Sequence, residues 1–330
     1  MNKKKDPIDI LVVGAGPIGI ACGVEATLSG LDHVIIEKGC LTDAVYQFPK
    51  NLVFFSTADL LELADIPFLS ADAKPTRAEI LNYYKRIAQY FKLETNLFEE
   101  VREIKQEGDV FSVTTSKRNY LARKVVLAIG FYDHPKMMNI PGEDLPKVSH
   151  FYQEPHSYYL QKVVVVGGGN SAVESALELY RGGAKKVTVV HRHENVNASV
   201  KYWIRPDFIN RVKEGSIEAY FNSRLTKITE NSVVIERDNG EELEIENDFV
   251  LAMTGYHTDF DFLKKVGVRL DSEQKRPAHD EETMETNVPG VYIAGVATGG
   301  MNTNRIFIEN GRVHAKRIMK DILKKMGRKV

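Results

Sequence analysis

Apolar residues fill five of the six positions from Ile8 to Val13, and the run then stops at Gly14-Ala15-Gly16-Pro17-Ile18-Gly19. A short apolar run ended by turn residues predicts a strand buried on both faces. Residues 20–28 lack strand alternation and read as a helix, which Gly30 ends. His33-Val34-Ile35-Ile36 predicts a second strand, and Glu37 follows it. Together these make one βαβ unit with a glycine turn between strand and helix. The pattern returns 153 residues later. Lys162-Val163-Val164-Val165-Val166 is the strand, Gly167-Gly168-Gly169-Asn170-Ser171-Ala172 the turn, and 173–180 the helix, stopped by Gly182-Gly183. The returning strand, 187–190, ends at His191-Arg192. Repetition at domain-sized separation predicts two domains built on one plan.

Between the two units, 76–91 reads as an amphipathic helix. Residues 101–104, 110–114 and 119–121 predict a small antiparallel sheet, and 124–130 a separate buried strand ending at Gly130. The second half repeats this order. An antiparallel set at 225–228, 232–237 and 242–245 surrounds the Asn239-Gly240 turn, and a buried strand at 248–253 ends at Thr254-Gly255. A last strand, 289–295, ends at Gly295, and 306–326 predicts one closing helix.

Composition removes several function classes. With 43% apolar and 27% charged residues in a chain of 330, a disordered or fibrous chain is excluded. Lys plus Arg total 44 against 45 Asp plus Glu, so nothing pulls the whole chain toward nucleic acid or an anionic membrane. No apolar run reaches the roughly 18 residues that span a bilayer. The basic start, Met-Asn-Lys-Lys-Lys, resembles the beginning of a signal peptide, but glycines break the apolar stretch behind it. A cytoplasmic location is therefore expected. The basic tail 324–329 reads as a solvated helix end. Two cysteines, Cys22 and Cys40, allow no disulfide framework and no Cys-x-x-Cys pair, and nine histidines show no ligand spacing, so no metal site is expected.

The glycine turns carry the chemistry. In such a turn the first glycine permits the bend, the second lets the backbone approach a pyrophosphate, and the third lets helix and strand pack closely. The phosphates rest on the helix N-terminus. Glu37, eighteen residues beyond Gly19, can accept hydrogen bonds from ribose hydroxyls and would repel a 2′-phosphate. The first site thus suits FAD or NAD. At the second, Arg192 offers a donor fork for a phosphate with His191 beside it, which favours NADP(H). His193 is expected on the opposite face, while Lys201 and Arg205 lie on a segment that could also reach the phosphate. Two adenosine preferences in one chain imply two cofactors, FAD held at the first site and NADPH visiting the second, with hydride passing to the flavin.

On these residues the chain resembles the flavoproteins related to thioredoxin reductase. More closely it resembles the YpdA-type bacillithiol-disulfide reductases, through Phe54-Phe55-Ser56-Thr57, Asn170-Ser171-Ala172-Val173-Glu174, Ser199-Val200-Lys201-Tyr202-Trp203, Ala252-Met253-Thr254-Gly255-Tyr256-His257 and Arg305-Ile306-Phe307-Ile308-Glu309-Asn310-Gly311-Arg312. The resemblance implies an α/β fold of two Rossmann-like, three-layer ββα dinucleotide-binding domains. The FAD domain is discontinuous, 1–136 and 257–330, around an NADPH domain at 137–256. FAD contacts are expected at Gly14, Gly16, Pro17, Ile18, Gly19, Glu37, Lys38, Gln47, Ser56, Val101, Gly130, Gly295 and Ile306. NADPH contacts are expected at Gly167, Gly169, Asn170, Ser171, Ala172, Glu174, His191, Arg192, Thr254 and Gly255.

The chain departs from these families in three places. The thioredoxin-reductase dithiol is absent from 149–156; Val296 stands where the wider family ends its last strand in Ala-Gly-Asp; and Ile18 stands where YpdA-type relatives place a cysteine used in thiol chemistry. Cys22, one helical turn beyond Ile18, is expected to be a core residue rather than a redox thiol, and Cys40 lies in the loop after Glu37. The activity implied is reduction of a low-molecular-weight disulfide by NADPH through FAD. Two alternatives stay open: electron transfer to a small carrier protein such as ferredoxin or flavodoxin, and nucleotide sensing without turnover. No nucleic-acid or membrane partner is expected, and a homo-oligomer is the default assembly.

Overall fold

The first βαβ unit forms as Ile8–Val13 (β1), Pro17–Leu28 (α1) and His33–Ile36 (β2) in a computed structural model that describes residues 6–328. The basic start of the chain and Lys329 of its tail lie outside the described residues. Helix α1 begins three positions earlier than expected, because Pro17 fills a first-turn position where no N–H is needed. Its residues Ile20, Ala21, Cys22, Val24 and Ala26 are all buried, so this helix has no long polar face. A short helix, Asp43–Tyr46 (α2), precedes Arg77–Tyr90 (α3). Thr76 and Glu79 cap α3 reciprocally, which fixes its start.

Strands Thr95–Asn96 (β3), Val101–Glu107 (β4), Val110–Thr115 (β5) and Asn119–Leu127 (β6) follow. Two expected elements are one here. Residues 119–121 and 124–127 form the single strand β6, since no turn residue separates them. Its first half pairs antiparallel with β5 (Thr114 with Asn119) and its second half parallel with β1 (Val13 with Leu127). The antiparallel insert and the parallel sheet are thus continuous.

The chain then builds a second sheet from Val148–Ser149 (β7), Lys162–Val166 (β8), Lys186–Val190 (β9), Glu218–Tyr220 (β10) and, after an insert, Phe249–Ala252 (β14). All are parallel, in the order β10-β9-β8-β14-β7. Helices Asn170–Arg181 (α4) and Arg205–Lys213 (α5) belong to it. The insert, Ser223–Ile228 (β11), Ser232–Arg237 (β12) and Glu242–Glu246 (β13), is a separate antiparallel sheet. Alternation along β8 explains the layering. Val163 and Val165 join the core with Val173 and Leu177 of α4, while Val164 joins Leu225 and Ile235 of the insert. Helix, parallel sheet and antiparallel sheet are stacked as three layers.

Returning to the first sheet, the chain forms Phe260–Lys265 (α6), Val291–Ile293 (β15), Ile308–Gly311 (α7) and Val313–Lys325 (α8). Strand β15 pairs parallel with β6. The single closing helix expected over 306–326 is instead two helices, and Ile306 is in neither. Arg312 separates the two, and at the neighbouring Gly311 an added Cβ would stand 3.2 Å from Ile18 Cδ1 and 3.4 Å from Gly295 Cα. No helix among the described residues is long and apolar enough to cross a membrane.

Two compact units result. One takes the chain through Tyr46, Leu52–His134 and the chain from Tyr256 onward; the other takes Gln47–Asn51 and Pro135–Gly255. The sequence placed 47–51 in the first domain. It packs with the second unit because Lys50 N donates to Gln153 O at 2.9 Å, Gln153 Nε2 donates to Gln47 O at 2.8 Å and Lys50 pairs with Glu154.

Candidate functional site

At the first turn the three glycines do three separable things. Gly14 has φ +102°, and an added Cβ would lie 2.4 Å from Ala128 O. At Gly19 an added Cβ would lie 1.8 Å from Gly14 O, so helix and strand touch there. Gly16 has an ordinary φ of −70°, and an added Cβ would meet nothing within 4 Å. Neither strain nor packing demands a glycine at Gly16. The open space lies at the N-cap of α1, where free backbone N–H groups favour an anion. That fits a dinucleotide pyrophosphate.

Glu37 is anchored beside this turn. Its Oε2 accepts from Ala15 N and its Oε1 from Gly39 N, both at 2.8 Å. Burial pushes its carboxyl above the usual range, against the pull of those two bonds. Each oxygen keeps a lone pair for a sugar hydroxyl. Lys38 pairs with Asp133 at 2.7 Å, so its ammonium is already neutralised within the unit.

The second turn repeats the plan with different side chains. Gly167 has φ +136°, and an added Cβ would lie 2.4 Å from Met253 O, as Gly14 does with Ala128. The third position is Ala172, fully buried. His191 occupies the place of Glu37, directly after the second strand. Its ring packs on Gly168, where an added Cβ would lie 2.4 Å from Nε2. Its Nε2 is buried without a hydrogen-bond partner. Burial, then the charges of His193 and Arg192, pull its pKa down, so the ring is neutral at pH 7 and can donate or accept. An unpartnered buried nitrogen beside a glycine turn fits a bound polar group. Arg192 is exposed, and its Nε lies 3.3 Å from His193 Nε2. His193 therefore does not face away: β9 has ended at Val190, and strand alternation no longer applies.

Residues 11–295 match the family described as pyridine nucleotide-disulphide oxidoreductase. The chain belongs to that family. It is 44% identical to "Bacilliredoxin reductase Bdr" of Bacillus subtilis over 96% of this chain and 97% of that one. It is 28% identical to a "Ferredoxin--NADP reductase" of Ignicoccus hospitalis, covering 88% of this chain and 90% of that one. The structure of "Bacillithiol Disulfide Reductase Bdr (YpdA) from Bacillus cereus" superposes with a TM-score of 0.94 at 41% identity, covering 97% of this chain and all of that one. Family membership makes the chain an oxidoreductase that uses FAD and NADPH, with the two Rossmann-like units just described.

Other expected contacts of this oxidoreductase fall on both units. In the first, Ser56 Oγ donates to Glu309 Oε2 at 2.5 Å, and Gly130 O accepts from Thr258 Oγ1 at 3.2 Å. Gly295 N donates to His314 Nδ1 at 3.1 Å, and Ile18 packs on Gly295. Ile306 packs on Gly311, and Val101 is a core residue at the start of β4. In the second, Asn170 accepts from Lys201 N at 2.8 Å, while Thr254 Oγ1 donates to Lys136 O. Ser171 is exposed on the first turn of α4. Gln47 belongs to this unit, where its carbonyl oxygen accepts from Gln153 Nε2. Lys201 is buried and ion-paired with Glu174.

Neither cysteine of this family member is a ready thiol. Cys22 is fully buried, and burial pushes its pKa up to about 12. Cys40 Sγ donates to Asp43 at 3.3 Å; partial burial, then that carboxylate, push its pKa up to about 11. Lys136, more than fifty residues from Arg192, brings its Cδ within 3.8 Å of where a Gly255 Cβ would lie. Burial and then the Arg192 charge hold its pKa down, so a second cation faces the same end of the sheet. No local pattern in the sequence marks it. Among the described residues no three metal-ligating side chains gather.

Proposed function

We propose that the first unit holds FAD, that the second takes NADPH, and that the electrons go to a low-molecular-weight disulfide of the bacillithiol type. The observation that carries the acceptor is the 44% identity, over nearly the whole chain, with a relative named for bacilliredoxin reduction. When bound, the two groups supply hydride transfer, with the net reaction NADPH, a proton and one disulfide giving NADP⁺ and two thiols. The backbone at Gly16 and the α1 N-terminus would receive the FAD pyrophosphate, and Glu37 would hold its ribose. Asn170, Ser171 and the α4 N-terminus would receive the NADPH pyrophosphate. His191 and Arg192 would read its 2′-phosphate, with Thr254 and Gly255 at the same sheet edge. Cys22 and Cys40 stay protonated at pH 7, and Ile18 supplies no sulfur, so no thiol of this chain relays the electrons.

The missing thiol also favours a second reading, a one-electron protein acceptor such as ferredoxin, which the 28%-identical relative is named for. An acceptor panel separates the two. We expect NADPH consumption to follow added bacillithiol disulfide, with two thiols formed per NADPH, and ferredoxin to go unreduced. Ferredoxin reduction without thiol formation would replace the first reading with the second.

A further inference from the structure

Phe98 combines two unfavourable features at one position. It is 66% exposed, so most of its ring area stays in water. It also has φ +52°, a left-handed conformation that disfavours a bulky side chain. The surroundings hold it there. Leu97 O accepts from Lys117 Nζ at 3.1 Å. On the other side Glu99, 1% exposed, accepts from Thr115 Oγ1 at 2.6 Å and from Tyr120 OH at 3.0 Å. With both neighbours fixed, the strain at Phe98 cannot relax. Backbone strain that the surroundings over-determine collects at ligand clamps.

The place is specific. Glu37 N donates to Asn96 O at 3.0 Å, Phe98 N donates to Gly39 O at 3.0 Å, and Glu99 N donates to Glu37 O at 2.8 Å. Residues 96–99 are therefore laced to 37–39, the segment that carries the acid beside the first glycine turn. A nucleoside whose sugar meets Glu37 has its base in this neighbourhood. No aromatic or cationic side chain packs on the Phe98 ring among the described residues. We propose that Phe98 is the stacking platform for the adenine of the dinucleotide at the first turn. This rests on the reading that FAD occupies that turn. Stacking suits a residue otherwise left in water, because any base has a π-face to offer and pairing buries both surfaces.

The test uses flavin-stripped full-length protein, titrated with FAD and with FMN, which lacks adenine. Phe98→Ala and Phe98→Gly should each weaken FAD about tenfold and leave FMN unchanged, while Phe98→Trp keeps FAD within about threefold. Phe98→Gly should also melt higher than the parent as apoprotein, because glycine adopts this φ freely. A gain in stability with a loss of FAD separates a ligand platform from a structural role. Equal losses for FAD and FMN would overturn the proposal. So would unchanged FAD affinity in both truncations while Glu37→Ala sheds its flavin, an outcome that leaves the site itself intact. If Glu37→Ala also keeps full flavin, the placement of FAD fails and the platform with it.

Discussion

The two glycine turns share a backbone and differ in what packs on it. At the first, Ala15 N donates to the Glu37 carboxylate; at the second, the equivalent residue is Gly168, and the His191 ring lies where a Cβ would be. A carboxylate can reach over an alanine. An imidazole lying flat on the turn cannot, so the extra glycine and the histidine go together. The third position differs too: a Cβ at Gly19 would meet Gly14 O at 1.8 Å, whereas Ala172 is accommodated. One framework thus tolerates exchange of charge at the sugar end only with a matching change in the turn.

The largest expected effect breaks this symmetry at the third position. Gly19→Ala should destabilise the protein by about 3 kcal/mol or more, because the obstructing atom is backbone; Ala172→Gly should cost only about 1 kcal/mol. Denaturant titration measures both, and equal costs would show that the turns pack alike.

The next effect belongs to the first unit alone. His314, 6% exposed, accepts from Gly295 N, and burial lowers its pKa from 6.5 to about 4. The folded-state value lies below the unfolded one, so the stabilisation is full above pH 6.5 and is lost as pH falls toward 4. The loss amounts to about 3 kcal/mol. Melting profiles across that range should flatten in His314→Gln.

Smaller effects sharpen the comparison at the sugar end. Arg192→Ala should raise the Kd for NADPH by about 10- to 100-fold and that for NADH by less than about threefold. Parallel losses would remove the phosphate role. Gly168→Ala should cost about 1–2 kcal/mol, relieved in part by His191→Ser in a double-mutant cycle. Gly16→Ala should change folding stability by less than about 0.5 kcal/mol yet weaken FAD about tenfold, since only the ligand would meet its methyl group. An unaltered FAD titration curve would mean that the open space at Gly16 serves no phosphate.

Both βαβ units were legible because strand, turn and helix follow one another within thirty residues, and each carries its own punctuation. The breaks in that legibility are long-range. Ala122-Arg123 offers no turn residue, so β6 could be recognised as one strand only from its partners β1, β5 and β15. The close packing at Gly311 involves Ile18, nearly three hundred residues earlier in the chain. The partner of Lys201 is Glu174 on α4, twenty-seven residues earlier, which no local pattern reveals. Of the candidate site, the turns, Glu37 and Arg192 could be read locally. The orphaned His191 nitrogen, the Lys136 cation and the strained Phe98 are products of tertiary placement.

The threefold pairing of β6 bears on how the molecule is made. Its last parallel neighbour, Val291–Ile293, leaves the ribosome more than 160 residues after β6 itself, whereas the inserted unit has every strand by Ala252. During synthesis the inner unit can close while the outer sheet still lacks a strand. Nascent chains arrested with residues through 255 already outside the ribosome, and challenged with protease, should yield a protected fragment of the inner unit before any of the outer one.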